Sequence, residues 1–174
     1  MTGLPGSPSA LVPPGEDETQ RRLRDLERAV QEIGPAIARS LKPESRLDTQ
    51  GAFAITTTQT TFSTITLTVP GGYTKAVFVY SATCWGTNHA AVAASITLWP
   101  TWTSGSSSQL YGGPSGPSGA VNANVVTSYT VADTASGLVP GNTLVFTSDA
   151  FASASGFGST NTGIAVSLLV LWLR

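Results

Sequence analysis

Few side chains beyond Asp48 could do chemistry. The rest of the 174-residue chain carries Lys75, Asp133, Asp149 and Arg174 as its charged residues, His89 as its one histidine and Cys84 as its one cysteine. Two carboxylates suggest glycan cleavage, which places an acid and a base or nucleophile about 5–10 Å apart across the scissile bond. Here Asp133 falls in residues 132–137, which read as a turn where Asp bonds its own backbone. Asp149 interrupts a strand pattern and is expected to face solvent. A Ser/His/Asp relay would have to use His89, yet no Gly-x-Ser-x-Gly elbow presents a nucleophile, and His89 beside Asn88 reads as a surface-loop residue. Cys84 and His89 are two metal ligands where a closed zinc site wants four, so Cys84 is read as a small buried hydrophobe. No glycine-rich loop leads into a Lys-Ser/Thr pair that would cradle phosphate. We therefore assign no catalytic residue, no cofactor and no metal, and expect a non-enzymatic protein.

Recognition needs less than catalysis: aromatic faces, shape and hydrogen-bonding groups. Trp99, Trp102 and Tyr111 stand at strand ends or in loops among Ser, Thr and Asn, and Trp99-Pro100-Thr101-Trp102 is expected not to bury both indoles. These three are the candidate recognition residues, and a cell-surface glycan or a protein is the ligand they would suit. The competing reading has the same rings sealing the ends of a β domain or an interface.

The elements that hold these residues divide sharply at Asp48. Only 11% of the chain is charged, against about one quarter in ordinary proteins, and most of that charge lies in residues 1–48. Net charge is −1 and no basic face is apparent, which excludes a phosphate-tracking nucleic-acid surface. The stretch from Ile164 to Leu173 is apolar but shorter than the roughly 20 residues a membrane helix needs. No basic region followed by an apolar run opens the chain, so no secretory signal and synthesis in a cytoplasm are expected.

Residues 1–15, rich in Pro and Gly, read as an extended arm. Residues 16–41 read as a helix broken at Gly34-Pro35, in which Leu23, Leu26, Val30, Ile33 and Ile37 recur at alternating spacings of 3 and 4, the a/d seam of a coiled coil. Two heptads are too few to stand alone, so the seam is expected to join copies of the chain whose β domains also touch, the alternative being a helix packed on its own β domain. Residues 42–52 read as a linker. From residue 53 to 174 the period becomes 2: Ile65, Leu67 and Val69 alternate with threonines, and Val121, Ala123, Val125, Thr127, Tyr129 and Val131 recur at every second position. Apolar residues occupy both faces of the middle of 73–85 and of 163–173. Pro-Gly turns separate the runs. Seven or eight such strands predict a mainly β protein, an antiparallel β-sandwich or jelly-roll-like head carrying an N-terminal coiled-coil-type helix, with an exposed loop over 103–119.

Four segments carry a resemblance: Arg22-Leu23-Arg24-Asp25-Leu26-Glu27, Val69-Pro70-Gly71-Gly72-Tyr73-Thr74, Leu138-Val139-Pro140-Gly141-Asn142-Thr143 and the closing Leu171-Trp172-Leu173-Arg174. Together they resemble the small minor tail proteins of tailed phages that infect actinobacteria. The resemblance implies a virion surface component, often a homotrimer, held to other virion proteins by its N-terminal part and displaying a β head; it implies no catalytic residue. Capsid decorations and head fibres share that anatomy, and a carbohydrate-binding module is a further alternative. The host, the receptor and the protein that holds the arm are not written in the sequence.

Overall fold

The computed structural model describes residues 14–105, 107–111, 113 and 115–174. Two compact units divide between Ser40 and Leu41. In the first, helix α1 runs without interruption from Pro14 to Ser40. Proline suits a first helical turn, because its fixed φ is already helical and its missing N–H is not needed there. Arg, Leu, Glu, Gln and Ala then supply high helix propensity. The break expected at Gly34-Pro35 does not occur: Pro35 lies inside the helix, leaving one carbonyl without its usual donor. Residues 14 and 15 belong to this helix, while residues 1–13 of the expected arm lie outside the described residues.

The second unit contains eight strands: β1 (Leu41–Gly51), β2 (Thr60–Thr68), β3 (Lys75–Thr87), β4 (Ile96–Ser104), β5 (Ser107–Leu110), β6 (Asn124–Ser136), β7 (Thr143–Ala152) and β8 (Gly163–Leu173). They form two four-stranded antiparallel sheets, ordered β1-β8-β3-β6 and β2-β7-β4-β5. Apart from β4 and β5, chain neighbours lie in different sheets, the double Greek-key order of a jelly roll. Alternation explains the packing. Leu144, Phe146, Ser148, Ala150 and Ala152 of β7 turn inward, against Ala76, Phe78, Tyr80, Ala82 and Cys84 of β3. Phe78 meets Phe146 edge-on at 4.9 Å and Trp102 at 5.6 Å, and the Tyr80 hydroxyl and Ser148 Oγ, 2.7 Å apart, form a buried hydrogen bond between the sheets.

The linker expected at 42–52 is a strand. β1 pairs with β8 along its whole length, from Leu41 opposite Leu173 to Gly51 opposite Gly163. Its Lys42, Pro43, Glu44, Arg46 and Asp48 suit the outer edge of a sheet, where charge and proline discourage pairing with foreign strands. Two of its carboxylates tie it to the head: the indole N–H of buried Trp172 donates to Glu44 Oε2 at 3.1 Å, and Ser63 Oγ donates to Asp48 Oδ2 at 2.6 Å. Phe53 and Ile55 lie between β1 and β2, where Ile55 forms an isolated bridge with Phe157. The loop expected over 103–119 contains β5, and Ser115 and Gly119 form bridges to Thr97 and Ala94. Several glycines are sterically required, Gly163 and Gly156 among them. A Cβ at Gly163 would lie 2.4 Å from the Trp85 ring, and Gly156, at φ 144°, lies against the Ala90 backbone.

Candidate functional site

Asp133 is not in a turn. It lies within β6 with its side chain on the inward side, because the alternation of Val125, Thr127, Val131 and Ala135 continues through it. There it meets two of the three candidate recognition residues. The Trp102 indole N–H is shared between the Tyr111 hydroxyl at 2.9 Å and Asp133 Oδ2 at 3.2 Å. Tyr111 also donates its hydroxyl hydrogen to Asp133 Oδ2, and the Thr134 amide donates to Oδ1 at 2.7 Å. Burial raises the Asp133 carboxyl, but the hydrogen bonds from Tyr111, Thr134 and Trp102 outweigh that and hold it below the ordinary carboxylate value. Burial, followed by the hydrogen bond to Asp133, drives the Tyr111 phenol upward.

Because Trp102 belongs to β4 and Asp133 to β6, this cluster joins the two sheets near the β6 edge. Trp102 is only 8% exposed and packs on Phe78. The expectation of an open Trp102 is therefore corrected: an inward position on β4 buries its indole and Asp133 satisfies the N–H. Tyr111, half-buried, has its hydroxyl occupied in the same cluster.

Trp99 is not part of that group. Three residues from Trp102 on an extended strand, it turns to the other face of β4. It is half-buried, tilted against Phe151 at 5.9 Å, and its indole N–H has no protein partner. Asp149 lies opposite Trp99 in the ladder, its two oxygens accepting from Thr61 Oγ1 and Gln59 Nε2, both at 2.7 Å. Trp99, Phe151 and Asp149 thus form an aromatic and carboxylate patch on the outward face of the second sheet.

The other titratable groups are held in structural roles. Cys84 is fully buried, and burial pushes its thiol up to about 12, so it is not a nucleophile near neutral pH. The Tyr80 phenol is likewise pushed up to about 12 by burial. His89 Nδ1 lies 3.2 Å from Asn122 Oδ1 at an exposed position. Among the described residues, no three His, Cys, Asp or Glu side chains gather where they would hold a metal ion. Sequence reasoning missed Asn88. This fully buried side chain donates to the carbonyls of Val92, Gly119 and Ala120 at 3.0, 2.9 and 3.4 Å and accepts from the Ala90 amide at 2.8 Å. Its neighbours in sequence carry no pattern that marks such a hub.

The most exposed apolar surfaces lie elsewhere. On α1, Leu23, Leu26, Val30, Ile33 and Ile37 are 52–67% exposed in the single chain. On the head, Leu47, Val77, Val79 and Leu169 are exposed on the outward face of the β1-β8-β3-β6 sheet. No helix among the described residues is long and apolar enough to cross a membrane.

No protein-family profile and no curated protein sequence matches the chain. Solved structures with weak similarity include infectious bursal disease virus Gx strain, at 12% identity and TM-score 0.31, over 77% of this chain and 33% of that chain. Desmodium yellow mottle tymovirus is similar at 9% identity and TM-score 0.32, over 77% of this chain and 88% of that one. Dimeric latent PorU from Porphyromonas gingivalis is similar at 12% identity and TM-score 0.32, over 77% and 13%. This chain thus spans about a third of the bursal disease virus chain. The assignment of the jelly roll rests on the strand order alone.

Proposed function

We propose that this chain is a non-enzymatic structural protein of a virus particle, a minor tail or tail-tip component of a tailed phage. In this reading, α1 joins three copies through Leu23, Leu26, Val30, Ile33 and Ile37. The N-terminal arm engages other virion proteins, and the jelly-roll head is displayed for assembly or host attachment. The observation that carries the reading is the exposed α1 stripe. Five large apolar side chains at heptad spacing stand more than half open in the single chain, and such a stripe is what helix partners cover. A head poor in charge and built in an architecture that recurs in viral capsid and lectin domains supports the virion setting. Asp133 bound inside a hydrogen-bond cluster, and Cys84 with a raised pKa, support a non-enzymatic role.

Sedimentation equilibrium of the full chain tests the assembly. Three copies are expected, and the pair Leu26→Asp and Val30→Asp is expected to release monomers with unchanged β-type circular dichroism. Monomers of the unaltered chain at all concentrations would refute it. A capsid decoration or head fibre shares this anatomy and is separated by copy number per particle. A glycan-binding role is favoured by a different observation, the Trp99–Phe151 patch with Asp149 beside it. Loss of glycan retention in Trp99→Ala would support it.

A further inference from the structure

We infer that the outward face of the β1-β8-β3-β6 sheet is a second self-association surface, on which the heads of an assembled oligomer meet. The inference rests on the α1 assembly proposed above and extends it to the head. The ladders place Pro43, Leu171, Val77 and Thr134 in one row across this face. Ser45, Leu169, Val79 and Ala132 form the next row, and Leu47, Ser167, Ser81 and Thr130 the one after. No residue in these three rows is charged.

The rows differ in height. Small hydroxyl residues follow Leu47, whereas Leu169 and Val79 stand in the adjacent row. The result is a shallow depression of about 580 Å³, with Leu47, Val79, Leu169 and Ser167 among its lining residues. Leu47, 77% exposed, and Leu169, 54% exposed, stand beside it as knobs. Knob and depression therefore lie side by side on one face, so that around a three-fold axis the Leu47 knob of one copy can enter the depression of the next.

The chain connection selects the same partner. α1 ends at Ser40, and β1, which carries Leu47, begins at Leu41 with no intervening loop. Leu47 is thus within about 25 Å of extended strand from the helix end. Copies joined through α1 hold these faces at high effective concentration, so even a modest apolar contact is populated. The nearest charges are Arg46 at the depression and Lys75 one row beyond Val77, so the three rows themselves offer an unrelated charged partner no ion pair.

Sedimentation equilibrium on the full chain separates this inference from the helix reading. Leu47→Asp and Leu169→Glu are each expected to raise the half-dissociation concentration at least about tenfold, leaving the head's melt in place. Leu47, being so exposed, can be changed without disturbing the core, so it decides the matter if Leu169→Glu misfolds. An unchanged midpoint in Leu47→Asp, together with dissociation by the α1 pair, overturns the inference and leaves the helix reading standing. Dissociation by Leu47→Asp but not by the α1 pair upholds this surface and refutes the helix. A wild-type chain that stays monomeric overturns both.

Discussion

Changing Asp133 to Asn distinguishes a structural brace from a recognition or catalytic group. The substitution keeps the shape but removes the charge from a carboxylate that accepts from Tyr111, Trp102 and the Thr134 amide. A hydrogen bond to a charged group contributes about 1.5–3 kcal/mol and a neutral one about 0.5–1.5. Asn keeps one acceptor oxygen, so some bonds survive in neutral form, and partial exposure screens the charge. The net cost is therefore about 1–2 kcal/mol, which for a head of this size lowers the melting midpoint by about 3–10 °C. The Asp133 pKa is depressed in the folded chain, so its contribution is present above the ordinary carboxylate value of 3.8 and lost as pH falls through the folded value. The melts of Asp133→Asn and the unaltered chain should accordingly differ at pH 7 and converge in acid. Asp149→Asn is the control: its partners Gln59 and Thr61 are exposed, and its cost is expected within about 0.5 kcal/mol. Equal melts for Asp133→Asn and the unaltered chain at pH 7 would refute the brace and return Trp102 and Tyr111 to the pool of recognition residues.

A fragment beginning at Leu41 should melt cooperatively, whereas one beginning at Phe53 removes β1, uncovers β8 along its length and should lose the cooperative transition in calorimetry. Tyr80→Phe strands the buried Ser148 hydroxyl and should cost about 1–2 kcal/mol in denaturant unfolding. Since burial raises the Tyr80 phenol from 10.0 to about 12, its stabilising contribution is present below pH 10 and lost as pH rises through about 12. Absorbance at 295 nm should therefore show this phenol ionising only near the alkaline unfolding transition. Asn88→Ala removes bonds to three carbonyls and one amide at a fully buried position, and should cost about 2–4 kcal/mol by the same unfolding assay.

Much of the head could be read from alternation, because a half-buried strand writes its two faces into successive residues. Leu144 and Phe146, Val125 and Val131, and Ile164, Val166, Leu168 and Val170 all mark inward faces in this way. β1 was hidden for a physical reason: an edge strand is protected by the same charges and proline that signal a linker. Asp133 reads as part of a turn because Ala, Thr, Ser and Gly surround it, yet the period of 2 runs on from Val131 to Ala135. The same parity rule separates Trp99 from Trp102, since an odd spacing sends two side chains to opposite faces of a strand. Gly34-Pro35 reads as a break within the helix, but the strong helix formers around it carry α1 unbroken to Ser40. Nothing in the spacing of Asn88 announces that it will bind three carbonyls, because its partners come from residues 92, 119 and 120 in folded space.

Imaging of purified particles by cryo-electron microscopy, with mass spectrometry of the same sample, tests the virion role most directly. The proposed function predicts that the chain is a particle component, present in threes. Particles that are complete and infectious without this chain would contradict it.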